Sequence, residues 1–547
     1  MQIFRYFCTP KIVMLPMKSL KLFFLAAICL FAVAATGQNQ QAKAQMNAQK
    51  LATTLYLIEN FYVDTANTDK VTEDAIIAAL KELDPHSAYI SKKDVEKANE
   101  PLVGSFEGIG VTYQLIRDTI TVISPTAGGP SEKVGIMTGD QIIKIDGEDA
   151  FGKKIDNEYV QKRLRGKKGT KVTVSVKRGS DPELIDFEIT RDKIPLTSIN
   201  AAYMLDNHIG YIKLDRFAQE STQEFKEAFA KLQSQGMESL IFDLRGNTGG
   251  YLNTAIELVD QFLPENQLVV FTEGIHSPRQ EWRSTKEGLY TSGKLVVLID
   301  EGSASASEIL SGAIQDHDRG VVIGRRSFGK GLVQRPFNLP DGAQIRLTTS
   351  RYHTPSGRCI QRPYEKGVEE YAKEMNKRLE HGEYFHADSI HFPDSLKYKT
   401  DGGRTVYGGG GIMPDIFIPV DTAYNSKLYT NLVRKGALNR FTTDYGLKHR
   451  DEIKAKYGDF ENYNKDFIVG QDLVDGLKKA AEEAKVEWND EQFAHSQKFI
   501  LLQMKALIAR NVWETQEYYR VMASEDSGVK KALEILGNNK EYKRILK

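Results

Sequence analysis

The chain has 547 residues, room for three or four domains at about 150 residues each. With 41% apolar and 27% charged residues it has an ordinary globular composition, which excludes a wholly disordered, collagenous or multi-span membrane protein. The 73 basic residues balance 73 acidic ones, so no global basic field draws nucleic acid, and Cys8, Cys29 and Cys359 are too few for a cysteine-ligated structural zinc site.

Lys18 and Lys21 precede an apolar run over 22–35, and small and polar residues follow to Gln45. A basic flank, a short apolar stretch and a small-residue exit are the pattern of a secretory leader, expected over 1–44. Met17 is the better start for it, and cleavage fits after Ala35, Gly37 or Ala44. The other reading is a short anchor that stays attached. Cys29 is a poor lipidation site because bulky Ile28 precedes it. Export lowers the expectation of ATP- or NAD-dependent chemistry.

Residues 45–102 form an N-terminal helical segment, with Leu51, Leu55, Ile58 and Phe61 near helical spacing and a breaker at Asp84-Pro85-His86-Ser87. Residues 103–195 change texture to alternating strands and read as a compact β-rich module. Over 196–420 strands and helices alternate, which predicts an α/β core with a sheet parallel at least in part. Ser221-Thr222-Gln223-Glu224 has the capping-box pattern at the start of one of its helices. Within this region 364–407 is polar, shows no clear period and reads as an insertion. Residues 421–547 form a C-terminal helical extension.

Three segments of the core can carry chemistry. Gly302-Ser303-Ala304-Ser305-Ala306-Ser307-Glu308 follows a buried strand and opens a helix, where free N–H groups and the helix dipole favour developing negative charge. Such a place suits a nucleophilic serine; it equally suits a helix cap with small residues for tight packing. Gly324-Arg325-Arg326-Ser327-Phe328-Gly329-Lys330-Gly331 follows another strand. As a phosphate loop it fails at Gly331, where a Ser or Thr is needed, and a strand rather than a helix comes next. Lys330 could instead serve as a base if burial kept its amine neutral. Asp243 to Gly250 places glycines after a strand, where an N–H could reach an oxyanion or the chain could merely turn. No histidine has a triad context, His317 and His353 being peripheral, and no metal-ligand spacing occurs.

Together with Leu83-Asp84-Pro85-His86-Ser87, Gly108-Ile109-Gly110-Val111 and Thr354-Pro355-Ser356-Gly357-Arg358, these segments resemble the carboxy-terminal processing, or tail-specific, serine proteases. The resemblance covers roughly 50–361 and 408–420. It implies a serine–lysine dyad with the lysine 25 positions after the serine, which selects Ser305 and Lys330. It implies that Gln334 orients the lysine, both being expected on one face of a strand, and that N–H groups of Gly250 and Ala306 form the oxyanion hole. Asp316 matches an acidic position of some relatives, with a structural cap as the other reading. The β-rich module resembles a PDZ domain, in which Gly108, Ile109, Gly110 and Val111 receive a free carboxylate, and Arg165 matches a residue that couples peptide binding to activation. The implied protein is an exported, periplasmic serine endopeptidase acting near protein C-termini, with protein or peptide substrates and no cofactor or nucleic acid. A homo-oligomer through the helical segments and membrane association through an uncleaved leader stay open. The alternative is an inactive PDZ scaffold that binds peptides.

Overall fold

The computed structural model describes residues 41–152, 155–179, 181–206 and 208–547, so the leader expected over 1–44 lies outside the described residues up to position 40. The chain divides into two compact units, 1–80 and 81–547. In the described part of the first unit a helix over 41–61 exposes Leu51, Tyr56, Leu57 and Phe61, and a second helix, Thr68–Lys81, begins beyond a short link.

The second unit is built on a six-stranded sheet. Ile199–Met204 pairs antiparallel with Ile209–Leu214; Ser239–Asp243, Lys294–Ile299, Val321–Gly324 and Ile416–Phe417 then follow in parallel register. Successive side chains of a strand point to opposite faces, so apolar runs here mean burial on both. Ile212, Leu240, Phe242, Leu295, Val297 and Val322 join one core with the helices Ser221–Ser234, Leu252–Asp260 and Ala306–Asp316. Tyr211, Ile241, Val296, Leu298, Val321 and Ile323 join another, closed by Val529, Ala532, Ile535, Leu536 and Tyr542 from the end of the chain. The helices from Lys427–Arg434 to Thr515–Met522 pack around a core of their own.

The capping box expected at Ser221–Glu224 does not form. Glu224 instead accepts from the N–H and hydroxyl of Ser198, both at 2.7 Å, and the Ser221 hydroxyl accepts from Ala218 N–H at 2.8 Å. Ser221 serves the loop before the helix and Glu224 the entry to the strand Ile199–Met204, rather than the helix end.

A second sheet joins Ala88–Ile90, Gln344–His353, Leu268–Gly274 and Ser277–Arg283, with Leu332–Asn338 also pairing to the long strand Gln344–His353. Residues 103–195 hold an antiparallel sheet with Val111–Ile116, Thr119–Pro125, Gln141–Ile145, Lys171–Lys177 and Leu184–Thr190 along its path, and a helix Asn157–Leu164 beside it. The insertion 364–407 is structured: it contains the helix Val368–Glu380 and a small hairpin, Lys397–Lys399 with Thr405–Tyr407.

Candidate active site

Where the parallel strands end, three loops meet. The first follows Ser239–Asp243. Asp243 is buried; burial alone would raise its carboxyl, but the guanidinium of Arg245 and the ammonium of Lys213 overcome that and hold it below the usual carboxylate range. Arg245 also pairs with Asp526, the N-cap of the helix Ser527–Gly537, at 2.8 Å, so the C-terminal extension grips this loop. Beyond it, Gly249 and Gly250 have φ +102° and +156°. A Cβ on Gly249 would lie 2.8 Å from the Ala304 carbonyl and 2.9 Å from Ser305 Cβ, and one on Gly250 would lie 2.1 Å from the Phe217 carbonyl. Only hydrogen fits between Gly249 and the serine segment, and between Gly250 and Phe217.

That segment is the second loop. Its three serines differ in surroundings. Ser303 is fully buried and donates to Leu244 O at 2.8 Å; Ser307 is fully buried and donates to Asn247 O at 2.8 Å. Both pin the first loop to the serine segment. Ser305 alone of the three is partly exposed and lines a cavity of about 960 Å³. Its φ of +54° with ψ of −111° lies outside the ordinary regions for a residue with a Cβ, a conformation that costs about 1–3 kcal/mol and persists only when the surroundings impose it. Here they do: Ser305 N–H donates to Glu308 Oε2 at 2.8 Å, and Ser305 O accepts from Glu308 N–H, Ile309 N–H and the Tyr352 hydroxyl. The N–H groups of Gly250 and Ala306, which border the same cavity, have no acceptor among the described residues. They stand where the positive end of the helix Ala306–Asp316 adds to their pull on an anion.

The third loop, 325–331, carries Lys330 to the same cavity. Burial lowers the lysine's pKa; the Glu308 carboxylate opposes this and Arg346 adds to it. No direct hydrogen bond joins Lys330 Nζ to Ser305 Oγ among the described residues, but the loops that bear them are tied three ways. Glu308 is fully buried, and its carboxylate accepts from Ser305 N–H, from Gly329 N–H at 2.7 Å, from Lys330 N–H at 2.9 Å and from the Ser327 hydroxyl at 2.5 Å. Burial raises its own pKa against those four donors. Tyr352 donates its hydroxyl to Ser305 O at 3.2 Å and its N–H to Gly331 O at 2.9 Å. Phe328 N–H donates to Ser303 O at 3.0 Å.

Gln334 also lines the cavity, though not by strand parity. The strand begins at Leu332, after the lysine, and a bulge between Val333 and Gln334 breaks the alternation on which a common face depends. Gln334 Nε2 donates to Thr348 Oγ1 at 3.1 Å, and Thr348 donates onward to Asp84 at 3.0 Å. Asp84 holds the turn through the N–H groups of His86 and Ser87, each at 2.8 Å. The Asp84–Ser87 breaker therefore belongs to the site. His86 sits 2.9 Å from the Tyr371 hydroxyl, and its pKa is pushed down to about 4 by burial first and by the Lys330 ammonium second. Sequence reasoning assigned no role to Glu308, Tyr352, Thr348 or His86. The one available signal was that Glu308 and His86 stood inside motifs already singled out.

The remaining candidates lie elsewhere. Asp316 is buried against the fully buried Arg358 at 2.7 Å and accepts from Ser356 N–H, which fastens the Thr354–Arg358 turn. His317 bonds Asp401 and Leu268 O, and His353 stacks on Phe271 at 4.6 Å. In the module at 103–195, Ile109, Gly110 and Val111 border a groove of about 120 Å³ together with Val160, Leu164 and Arg165. The N–H group of Gly110 has no acceptor among the described residues. Gly108 forms an isolated bridge to Arg165, whose guanidinium pairs with Glu100 at 2.5 Å and lies over the Phe106 ring.

The peptidase family S41 model matches residues 208–370, a PDZ domain model matches 108–189, and a family of unknown function matches 428–514. The carboxy-terminal processing protease CtpB of Bacillus subtilis is 33% identical over 374 residues, 67% of this chain and 74% of that protein. A probable CtpA-like serine protease of Staphylococcus aureus is 34% identical over 59% of this chain, which spans 64% of that relative's length. Among solved structures, a photosystem II D1 C-terminal processing protease aligns at 26% identity and TM-score 0.33, over 57% of this chain and 89% of that one.

Proposed function

The chain belongs to peptidase family S41 with the carboxy-terminal processing serine proteases, and from that premise we propose that it is an exported serine endopeptidase that cuts protein substrates near their C-termini with a Ser305–Lys330 dyad. Neutral Lys330 takes the proton of the Ser305 hydroxyl as Oγ attacks the scissile carbonyl. The N–H groups of Gly250 and Ala306 hold the oxyanion. Lys330 returns the proton to the leaving amine as the C–N bond breaks, and water, deprotonated in turn by Lys330, clears the acyl-enzyme. Gln334 steadies the lysine's side of the cavity. The PDZ groove takes the substrate's free carboxylate on Gly108, Ile109, Gly110 and Val111 while the tail adds as a strand. Arg165 couples the groove to the dyad: it pairs with Glu100 on the helix Val95–Val103, whose Ala98 O and Asn99 accept from Arg346, a cation beside Lys330. The basic-then-apolar leader supports a periplasmic location.

The observation that carries this reading is the contrast among the three serines. Ser303 and Ser307 spend their hydroxyls on backbone carbonyls, whereas Ser305 opens into the cavity that Lys330 also lines. The test is mass spectrometry of a reporter with an apolar free tail, incubated with wild type and with Ser305→Ala. Fragments with wild type alone support the proposal. An intact reporter with wild type, its tail still bound, overturns it in favour of a peptide-binding scaffold.

A further inference from the structure

The insertion 364–407 has a use that its composition hides. The loop Ser327–Gly331 has no regular structure, yet its main chain is almost wholly engaged. Glu308 takes the N–H groups of Gly329 and Lys330, and Gln361 takes that of Gly331 at 2.8 Å. Gly329 O accepts from Arg362 N–H at 3.0 Å. The carbonyls of Ser327 and Phe328 face the insertion. Arg378, on the helix Val368–Glu380, is 2% exposed and donates to Ser327 O at 2.8 Å and to Phe328 O at 3.2 Å. Its Nε donates to Glu374 at 2.7 Å, and the same carboxylate also receives Arg362, whose guanidinium lies over the rings of Phe328 and Tyr371 at 4.1 and 3.8 Å. A buried guanidinium held by one carboxylate and aimed at two carbonyls is costly to desolvate and has no surface role there.

We propose that the insertion is a brace for the catalytic loop and that Arg378 is a positioning residue for Lys330. Without its guanidinium, two carbonyls are left unbonded in a dry interior, and the loop must turn to find other partners. Lys330, two residues beyond Phe328, turns with it. The S41 match ends at residue 370, so Glu374 and Arg378 lie beyond the part of the chain that the family model describes.

The inference rests on the dyad reading, so the experiment carries the full-length wild type and Ser305→Ala beside Arg378→Met, Arg378→Lys and Glu374→Gln. Each is assayed for kcat and KM on the apolar-tailed reporter, for its melting temperature, and for affinity of the reporter's tail. Arg378→Met is expected to lower kcat by about 10- to 100-fold with KM and tail affinity unchanged, the size of loss that a misplacement of about 1 Å brings. Arg378→Lys, which can still donate to one carbonyl, is expected to recover part of the loss. Glu374→Gln is expected to lower kcat several-fold, and it decides the matter if Arg378→Met does not fold. A folded Arg378→Met with wild-type kcat, a loss confined to KM, or a Glu374→Gln with undiminished kcat overturns the brace. Absence of Ser305-dependent cleavage in wild type strikes the dyad reading itself, which separates the two failures.

Discussion

The two sides of the cleft are held by different means. The serine side is rigid through close approach: a positive φ at Ser305, two glycines with no room for a Cβ, and the hydroxyls of Ser303 and Ser307 fastening one loop to the next. Apart from Phe217, against which Gly250 packs, all of that lies within two short stretches, 243–250 and 302–308. The lysine side is an irregular loop whose main chain is captured by side chains from distant places, Glu308 on one flank and Arg378 on the other. A serine site of this kind is broken by adding atoms, and a lysine site of this kind by removing them.

Removing the reacting group of either side has the largest effect. Lys330→Met, like Ser305→Ala, is expected to lower kcat by at least about 1,000-fold while the tail still binds the PDZ groove, as measured by calorimetry with a tail peptide. Next comes Glu308→Gln, because that carboxylate serves both loops: a loss of about 100-fold in kcat is expected. The pH profile gives its sign. Burial lowers the pKa of Lys330, so the rate should climb with pH as the amine becomes neutral, with its acid limb below the ordinary lysine value. Glu308 raises that pKa, so Glu308→Gln should move the limb to lower pH; a limb that moves upward would contradict the arrangement.

Gly249→Ala separates the two sides. Its Cβ would press on the Ala304 carbonyl and on Ser305, with strain at φ +102° besides, so a cost of about 1–3 kcal/mol in stability and a fall in kcat of about tenfold or more are expected. The acid limb set by Lys330 should stay where it was. The smallest effect is reserved for Thr348→Val, which cuts the link from Gln334 to Asp84: about 1 kcal/mol in chemical denaturation and a change in kcat below about threefold. A larger loss would make Gln334 depend on that link for its hold on the lysine.

The same contrast explains what the sequence made legible. Strands such as Lys294–Ile299 and Val321–Gly324 are buried on both faces and stand out as apolar runs. Ser277–Arg283, with four successive exposed positions, carries no such signal, and neither does Gln344–His353 with its mixed interior. The helix Val368–Glu380 escaped because the side it turns inward carries Tyr371, Arg378 and the partly exposed Glu374, spaced as a helix should be but polar. At the site, Ser305 and Lys330 were legible through the resemblance and their separation of 25 positions. Glu308 was not, since a carboxylate in the first turn of a helix reads as a partner for the dipole and for the helix's own N–H groups. Gln334 was legible through the resemblance as well, while the supporting argument from alternation is removed by the bulge at Val333.

The polar underside of the helix Val368–Glu380 has one more consequence. An apolar stripe tolerates sliding, because one methyl group packs much like another. A guanidinium and a carboxylate matched to particular partners do not: a slip of one helical turn, about 5.4 Å, would strand ions in the interior with nothing to neutralise them. The helix therefore docks at a single register, like a key cut with charges.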